Sequence, residues 1–154
     1  MKKLAILAAL LALAAPAAAL AENVPQGPAA PAVKKWFITD RSPNCYDRQG
    51  NDSGCELGLY NNVFVRYAPA GDTAVAFATY LNDPTGNAEQ FAVAVFRKGP
   101  EGWRFARNVP GLSGKSATNV VFRGDKVGFD TEVWRKNDSR CCPTGRKHWT
   151  ISLR

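Results

Sequence analysis

The residues best suited to carry out chemistry in this sequence are four cysteines and one histidine. Cys141 and Cys142 are adjacent and are followed by Pro143, whereas Cys45 and Cys55 lie in the first half of the chain. Adjacent α-carbons are about 3.8 Å apart across a trans peptide, less than the roughly 4.4–6.8 Å of an unstrained disulfide. We therefore expect two long-range disulfides from Cys45 and Cys55 to the adjacent pair. The alternatives are a Cys45–Cys55 bond with a bond between the neighbours, and free thiols.

The sequence contains few residues in arrangements suited to catalysis. Thiol redox enzymes use Cys-x-x-Cys at the start of a helix, and structural zinc sites pair ligands two to four residues apart. The cysteines show neither arrangement. His148 is the only near-neutral base, and no Gly-x-Ser-x-Gly segment stands near it. The sequence thus predicts a protein that is not an enzyme and that has no cofactor or metal, with redox activity at Cys141 and Cys142 as an alternative.

The first 21 residues are typical of an export signal. Lys2 and Lys3 precede an apolar run at 4–15, which is too short to cross a bilayer core of about 30 Å, and Ala19-Leu20-Ala21 supplies a cleavage pattern. We expect a signal peptide at 1–21 and a periplasmic or secreted protein whose mature chain has no transmembrane segment. Its cysteines are then expected to form disulfides. Without Lys2 and Lys3, 18 basic residues face 13 acidic ones, a net charge of +5.

The mature chain has the length of one domain. Residues 22–33 contain three prolines, one glycine and no aromatic residue, which predicts a flexible tether before a single domain at 34–154. The turn-rich segment 40–62 has too few apolar residues to hold its own shape, so Cys45 and Cys55 are expected to fix it.

Alternating apolar residues dominate from Val63 onward. Asp72 to Leu81 and Gln90 to Arg97 are apolar on both faces, which is typical of central strands covered on both sides, and an alanine-lined face indicates close packing. Further strands are expected at 102–107, 119–123, 126–136 and 148–154. No stretch shows helical spacing over three turns. We therefore expect an all-β fold: an antiparallel meander, sandwich or partly closed barrel of about 6–8 strands, held by disulfides.

Basic residues in the second half are interleaved with tryptophans near the expected strand ends. In an exported protein this pattern favours an anionic envelope polymer, lipid head groups or an acidic protein partner over nucleic acid. The alternative is that these charges only protect strand edges from aggregation. The candidate binding residues are Arg104, Trp134, Arg135, Arg140, Arg146 and His148.

The segment from Asp138 to Thr144 reads Asp-Ser-Arg-Cys-Cys-Pro-Thr. It resembles the Asp-x-Arg-Cys-Cys-Pro-Ser/Thr signature of the LppP/LprE-like exported bacterial proteins, and the resemblance covers about residues 63–154. Many members of that family are lipoproteins, whereas this signal lacks a lipid-accepting cysteine. Residues 68–72 also lack the acidic, glycine-rich stretch that is frequent in the family. The resemblance implies an exported β domain with disulfides, and it supplies no catalytic residues.

These features predict an exported, soluble, non-enzymatic binding module of the cell envelope. Its basic–aromatic face and its disulfide-fixed loops would contact an anionic polymer or an envelope protein. Two alternatives remain: a periplasmic inhibitor of a cell-wall hydrolase, and a thiol-redox protein that uses the adjacent cysteines. The four tryptophans are compatible both with the core and with a binding surface.

Overall fold

A computed structural model describes residues 24–39, 43–58, 60–83, 85–86 and 88–154, so the expected signal peptide at 1–21 lies outside the described residues. One helix and seven strands occur within these ranges. In chain order they are α1 (Ala30–Thr39), β1 (Asn62–Tyr67), β2 (Thr73–Leu81), β3 (Glu89–Gly99), β4 (Gly102–Asn108), β5 (Lys115–Arg123), β6 (Lys126–Val133) and β7 (Gly145–Ser152).

The strands form two antiparallel sheets in which every hydrogen-bonded neighbour is also the neighbour in sequence. The four-stranded sheet has the order β1-β2-β3-β4, and the three-stranded sheet has the order β5-β6-β7. The two sheets pack face to face, and the described residues form no closed barrel. The prediction of an all-β fold with six to eight antiparallel strands is confirmed, in its sandwich form.

Strands β2 and β3 are covered on both faces, as their two-sided apolar pattern predicts. One face packs against the three-stranded sheet, and Phe77 and Phe129 make an edge-to-face contact there with ring centroids 4.9 Å apart. Both sheets contribute buried residues to this interface: Val75, Phe77, Val93, Val95, Val127, Phe129, Ile151 and Leu153. This core fixes the relative position of the two sheets.

The opposite face of the four-stranded sheet is lined with fully buried alanines, Ala74, Ala76, Ala78 and Ala94. Helix α1 packs in this layer through Val33, Trp36 and Phe37. The helix and the alanine face thus share one buried core.

Helix α1 is absent from the sequence prediction, which contains strands only. Its apolar face consists of Val33, Trp36 and Phe37, a spacing of three and four residues that lasts one turn and escapes a three-turn criterion. It begins inside the segment expected as a tether at 22–33, and Ala29 is also buried. Among the described residues, no helix is long and apolar enough to cross a membrane.

The disulfides differ from the expected pairing. Cys45 bonds Cys55 with α-carbons 5.0 Å apart, and Cys141 bonds Cys142, so the expectation of two long-range links is wrong. The segment between Cys45 and Cys55 folds back on itself through a bridge between Tyr46 and Asp52. Both of these cysteines lie in the core on the helix side, whereas the adjacent pair lies in the connection between β6 and β7 of the three-stranded sheet.

Two arginines of the four-stranded sheet hold the end of β7 against it. The guanidinium of Arg97 donates hydrogen bonds to the Thr73 hydroxyl and to the Leu153 carbonyl. The guanidinium of Arg107 donates to the Ser152 carbonyl. These bonds join the two sheets at the end of the sandwich that lies opposite the β6–β7 connection.

Candidate functional site

The segment 134–147, here called the cationic loop, comprises the connection between β6 and β7 and the first three residues of β7. It contains five basic residues and one acidic residue, Asp138. All five basic side chains are exposed: Arg135, Lys136, Arg140, Arg146 and Lys147. Among the described residues, no carboxylate forms an ion pair with any of them. The loop therefore presents a concentrated positive charge to solvent.

Asp138 holds the two sides of the cationic loop together. Its Oδ2 accepts hydrogen bonds from the backbone N–H of Arg135 at 2.7 Å and of Thr144 at 2.8 Å. Its Oδ1 accepts a hydrogen bond from the Thr144 hydroxyl at 2.8 Å. The Arg135 and Thr144 N–H groups lower the pKa of Asp138, because they stabilise the charged form. The carboxylate is thus an ionised acceptor that orders the loop.

Replacing Asp138 by alanine is expected to loosen the loop while leaving the sheets intact. The backbone amides of Arg135 and Thr144 lose their acceptor, so both should exchange with solvent several-fold faster in hydrogen-exchange NMR. Asp83→Ala is the matched control, since Asp83 organises the β2–β3 turn by similar bonds to Thr85. Unchanged exchange at Arg135 and Thr144 in the Asp138 variant would contradict this role.

The pH dependence of the loop follows from the lowered pKa of Asp138. A carboxyl whose folded-state pKa is depressed stabilises the fold above its unfolded-state pKa and loses that effect as the pH falls through the folded-state value. The loop should therefore stay ordered at neutral pH and loosen only below the ordinary value of 3.8.

Further contacts attach the loop to the sandwich. Lys115 Nζ donates to the Cys141 carbonyl at 3.1 Å and pairs with Glu89 Oε2 at 2.8 Å, so it connects the loop to β5 and to β3. The indole Nε1 of Trp134 donates to the Arg140 carbonyl at 3.0 Å. With the Cys141–Cys142 bond, these contacts fix the backbone that carries the exposed cations.

The structure separates the four tryptophans into core and surface. Trp36 is 2% exposed and lies in the helix-side core. Trp103 and Trp149 are half-buried against the two cores, and the ammonium of Lys147 lies 3.7 Å from the Trp149 ring centroid. Trp134 is 38% exposed and belongs to neither core. It is the most exposed of the four tryptophans.

His148 lies on the outer face of β7, opposite Asp130 on β6. Its Nδ1 is 2.7 Å from Asp130 Oδ1, and Asn119 Nδ2 donates to Asp130 Oδ2 at 2.8 Å. The Asn119 hydrogen bond, followed by that of His148, lowers the pKa of Asp130. Within the described part of the chain, no hydroxyl or thiol is hydrogen-bonded to His148. The group is a cross-strand contact beside the cationic loop.

The structure brings together all but one of the candidate binding residues. Trp134, Arg135, Arg140 and Arg146 lie in the cationic loop, and His148 follows on β7. Arg104 lies on β4, opposite Arg97, whose guanidinium contacts the far end of β7. The eight residues of β7 extend roughly 25 Å at about 3.3 Å per residue, which places Arg104 well away from the loop.

Two residues that order the site were not among the candidates. Asp138 could have been found from the sequence, because an Asp that precedes a turn commonly accepts hydrogen bonds from nearby backbone N–H groups. Lys115 could not, because its contact with Cys141 joins positions 26 residues apart.

No protein-family model matches the chain, and neither a curated protein nor a solved structure matches it. The resemblance of the segment 138–144 to the LppP/LprE-like proteins stays a prediction. Among the described residues, no three side chains of His, Cys, Asp or Glu lie together as ligands of a metal ion would.

Proposed function

We propose that this protein is an exported, soluble, non-enzymatic binding module of the cell envelope, which uses the cationic loop to bind an anionic polymer or an acidic envelope protein. One observation carries the proposal. Five exposed basic side chains lie in 134–147, and no carboxylate of the described residues pairs with them. Arg146 lies opposite Glu132 on β6, but no ion pair joins them.

The fixed backbone of the loop supports the same conclusion. Asp138, Lys115 and Trp134 already hold it through hydrogen bonds to Thr144, Cys141 and Arg140. The backbone of the binding surface is then preformed, so the backbone loses little conformational entropy on binding. Guanidinium groups also form bidentate hydrogen bonds with carboxylates and phosphates. The geometry of these bonds favours planar or tetrahedral anionic groups over other ligands.

Co-sedimentation with isolated peptidoglycan and with phosphatidylglycerol vesicles tests the proposal. Electrostatic binding weakens as salt shortens the range of the interaction, so the protein should sediment at about 0.02 M salt and be released at about 0.5 M. Phosphatidylcholine vesicles, which carry no net charge, are the control. The proposal fails if the protein binds neither material at low salt and if crosslinking in the periplasm captures no specific protein.

A second candidate function is thiol–disulfide exchange at Cys141–Cys142. The observation that favours it is the bond itself, because it joins adjacent residues and both are exposed. A dithiol reductant could reach this sulfur pair directly. The reductant would be oxidised to its own disulfide, and Cys141 and Cys142 would each become a thiol.

Selective reduction distinguishes the two disulfides. Cys45 is 6% exposed and Cys55 is 1% exposed, so their bond should survive a reductant concentration that opens the exposed Cys141–Cys142 bond. Differential alkylation followed by mass spectrometry should label Cys141 and Cys142 first. If all four cysteines resist mild reductants, the redox candidate is excluded. If Cys45 and Cys55 are labelled first, the burial argument is wrong.

A further inference from the structure

We propose that the ligand of the cationic loop is an acidic polysaccharide, whose sugar ring packs on the Trp134 indole while its acidic groups pair with Arg135 and Arg140. This inference rests on the proposed function, because it names the ligand class of the same loop. It goes further by favouring a polysaccharide over an acidic protein.

The first support is the way in which Trp134 is held. Its indole N–H donates to the Arg140 carbonyl at 3.0 Å, yet the residue is 38% exposed. Since its single polar atom is already hydrogen-bonded, the exposed part is mainly the carbon surface of the ring. A pyranose ring has a face of C–H groups that complements such a surface. Trp134 belongs to neither of the two buried cores.

The second support is the position of the cations relative to this ring. Arg135 follows Trp134 directly in the chain, and Arg140 is the residue whose carbonyl the indole contacts. Both residues therefore attach to the backbone close to the indole, and both side chains are exposed. Carboxylate, phosphate and sulfate groups all suit a guanidinium. An acidic peptide would require only the cations, whereas an acidic sugar uses the cations and the ring together.

The third support is the uncharged surface next to the indole. Arg140 is followed by the exposed Cys141–Cys142 disulfide, which has lost its thiol donors. The Cys141 carbonyl accepts a hydrogen bond from Lys115, so this surface has a fixed position. The ring of Trp134 and the disulfide are thus fixed groups of low polarity within a cationic segment.

Titration with three polymers separates this inference from the proposed function. Polygalacturonate has carboxylates on sugar rings, polyglutamate has carboxylates without sugar, and dextran has sugar without charge. We expect polygalacturonate to bind about tenfold more tightly than polyglutamate at matched charge and salt, and dextran not to bind. Equal affinity for the two anionic polymers overturns the polysaccharide inference and leaves polyanion binding in place. Binding of neither overturns the proposed function as well.

Two substitutions of Trp134 test whether this residue causes the preference for polygalacturonate. Trp134→Ala should lose about tenfold in affinity for polygalacturonate and stay within twofold for polyglutamate. Trp134→Phe retains an aromatic face, so it should stay within about threefold of the wild type on both. The wild-type tryptophan emission should also change on addition of polygalacturonate, and Trp134→Phe should bind without that change. An emission change that persists in Trp134→Phe overturns the inference even if Trp134→Ala does not fold.

Discussion

Replacing Arg135, Arg140 and Arg146 together by glutamine is expected to weaken binding to polygalacturonate by about 100-fold at about 0.1 M salt. A basic side chain close to an anionic surface contributes about 1 kcal/mol, and about 1.4 kcal/mol corresponds to a factor of ten in affinity. The substitutions remove charge without removing the contacts that order the loop. Those contacts use the Arg135 backbone N–H and the Arg140 carbonyl rather than the side chains.

The control for this loss is a second variant with the same change in net charge. Lys98, Arg104 and Arg123 are exposed and lie outside the cationic loop, so their joint replacement by glutamine also removes three positive charges. We expect this variant to bind within about threefold of the wild type, since long-range attraction is screened beyond about 10 Å at 0.1 M salt. Equal losses in the two variants, measured by calorimetry, would show that net charge rather than the loop controls binding.

Replacing Arg97 by methionine is expected to destabilise the fold by about 3 kcal/mol and to lower Tm by about 10 °C. Methionine retains an unbranched chain but donates no hydrogen bond. The Thr73 hydroxyl and the Leu153 carbonyl, both in residues that are at least 95% buried, then lose their guanidinium donor. A hydrogen bond from a charged group contributes roughly 1.5–3 kcal/mol, and a buried acceptor left without a partner adds to the loss.

The matched control is Arg104→Met. Arg104 is the cross-strand partner of Arg97, but its side chain is exposed. Its replacement should change the free energy of unfolding by less than about 0.5 kcal/mol. Thermal unfolding followed by circular dichroism compares the two variants. Similar Tm values would contradict the role of Arg97 in joining the two sheets.

The local residue pattern predicts the sandwich but not the helix. The alternation in 72–81 and 90–97 has the period of a strand, and its two apolar faces require two covering layers, which the structure supplies. Helix α1 is only 10 residues long, with one turn of apolar spacing at Val33, Trp36 and Phe37. Its formation depends on the alanine face that receives it, and that face is more than 30 residues away in the chain.

The disulfides show why a local rule was insufficient. The spacing of adjacent α-carbons makes a Cys141–Cys142 bond unfavourable in isolation. Pairing also depends on which cysteines the fold brings together, and Cys45 and Cys55 lie in the helix-side core whereas the other pair lies in the β6–β7 connection. A preference about geometry within one dipeptide cannot overcome that separation.

Some residues of the candidate site were predicted and others were not. The order of residues shows where charges lie along the chain, but it does not show where they lie in space. Trp134, Arg135 and Arg140 are close in sequence and remain close in the fold. Arg104 has the same chemistry, but it lies on the other sheet. Alternation assigns a residue to a face of its strand, and it does not say which sheet contains that strand.

An NMR titration of the isotope-labelled protein with polygalacturonate tests most directly whether the cationic loop is the binding surface. If the loop binds, the largest changes in amide chemical shift should map to 134–147 and to the adjoining part of β7, and the Trp134 indole N–H signal should move with them. The β3–β4 hairpin around Arg104 should change little. Changes concentrated at that hairpin, or no changes at low salt, would contradict the account.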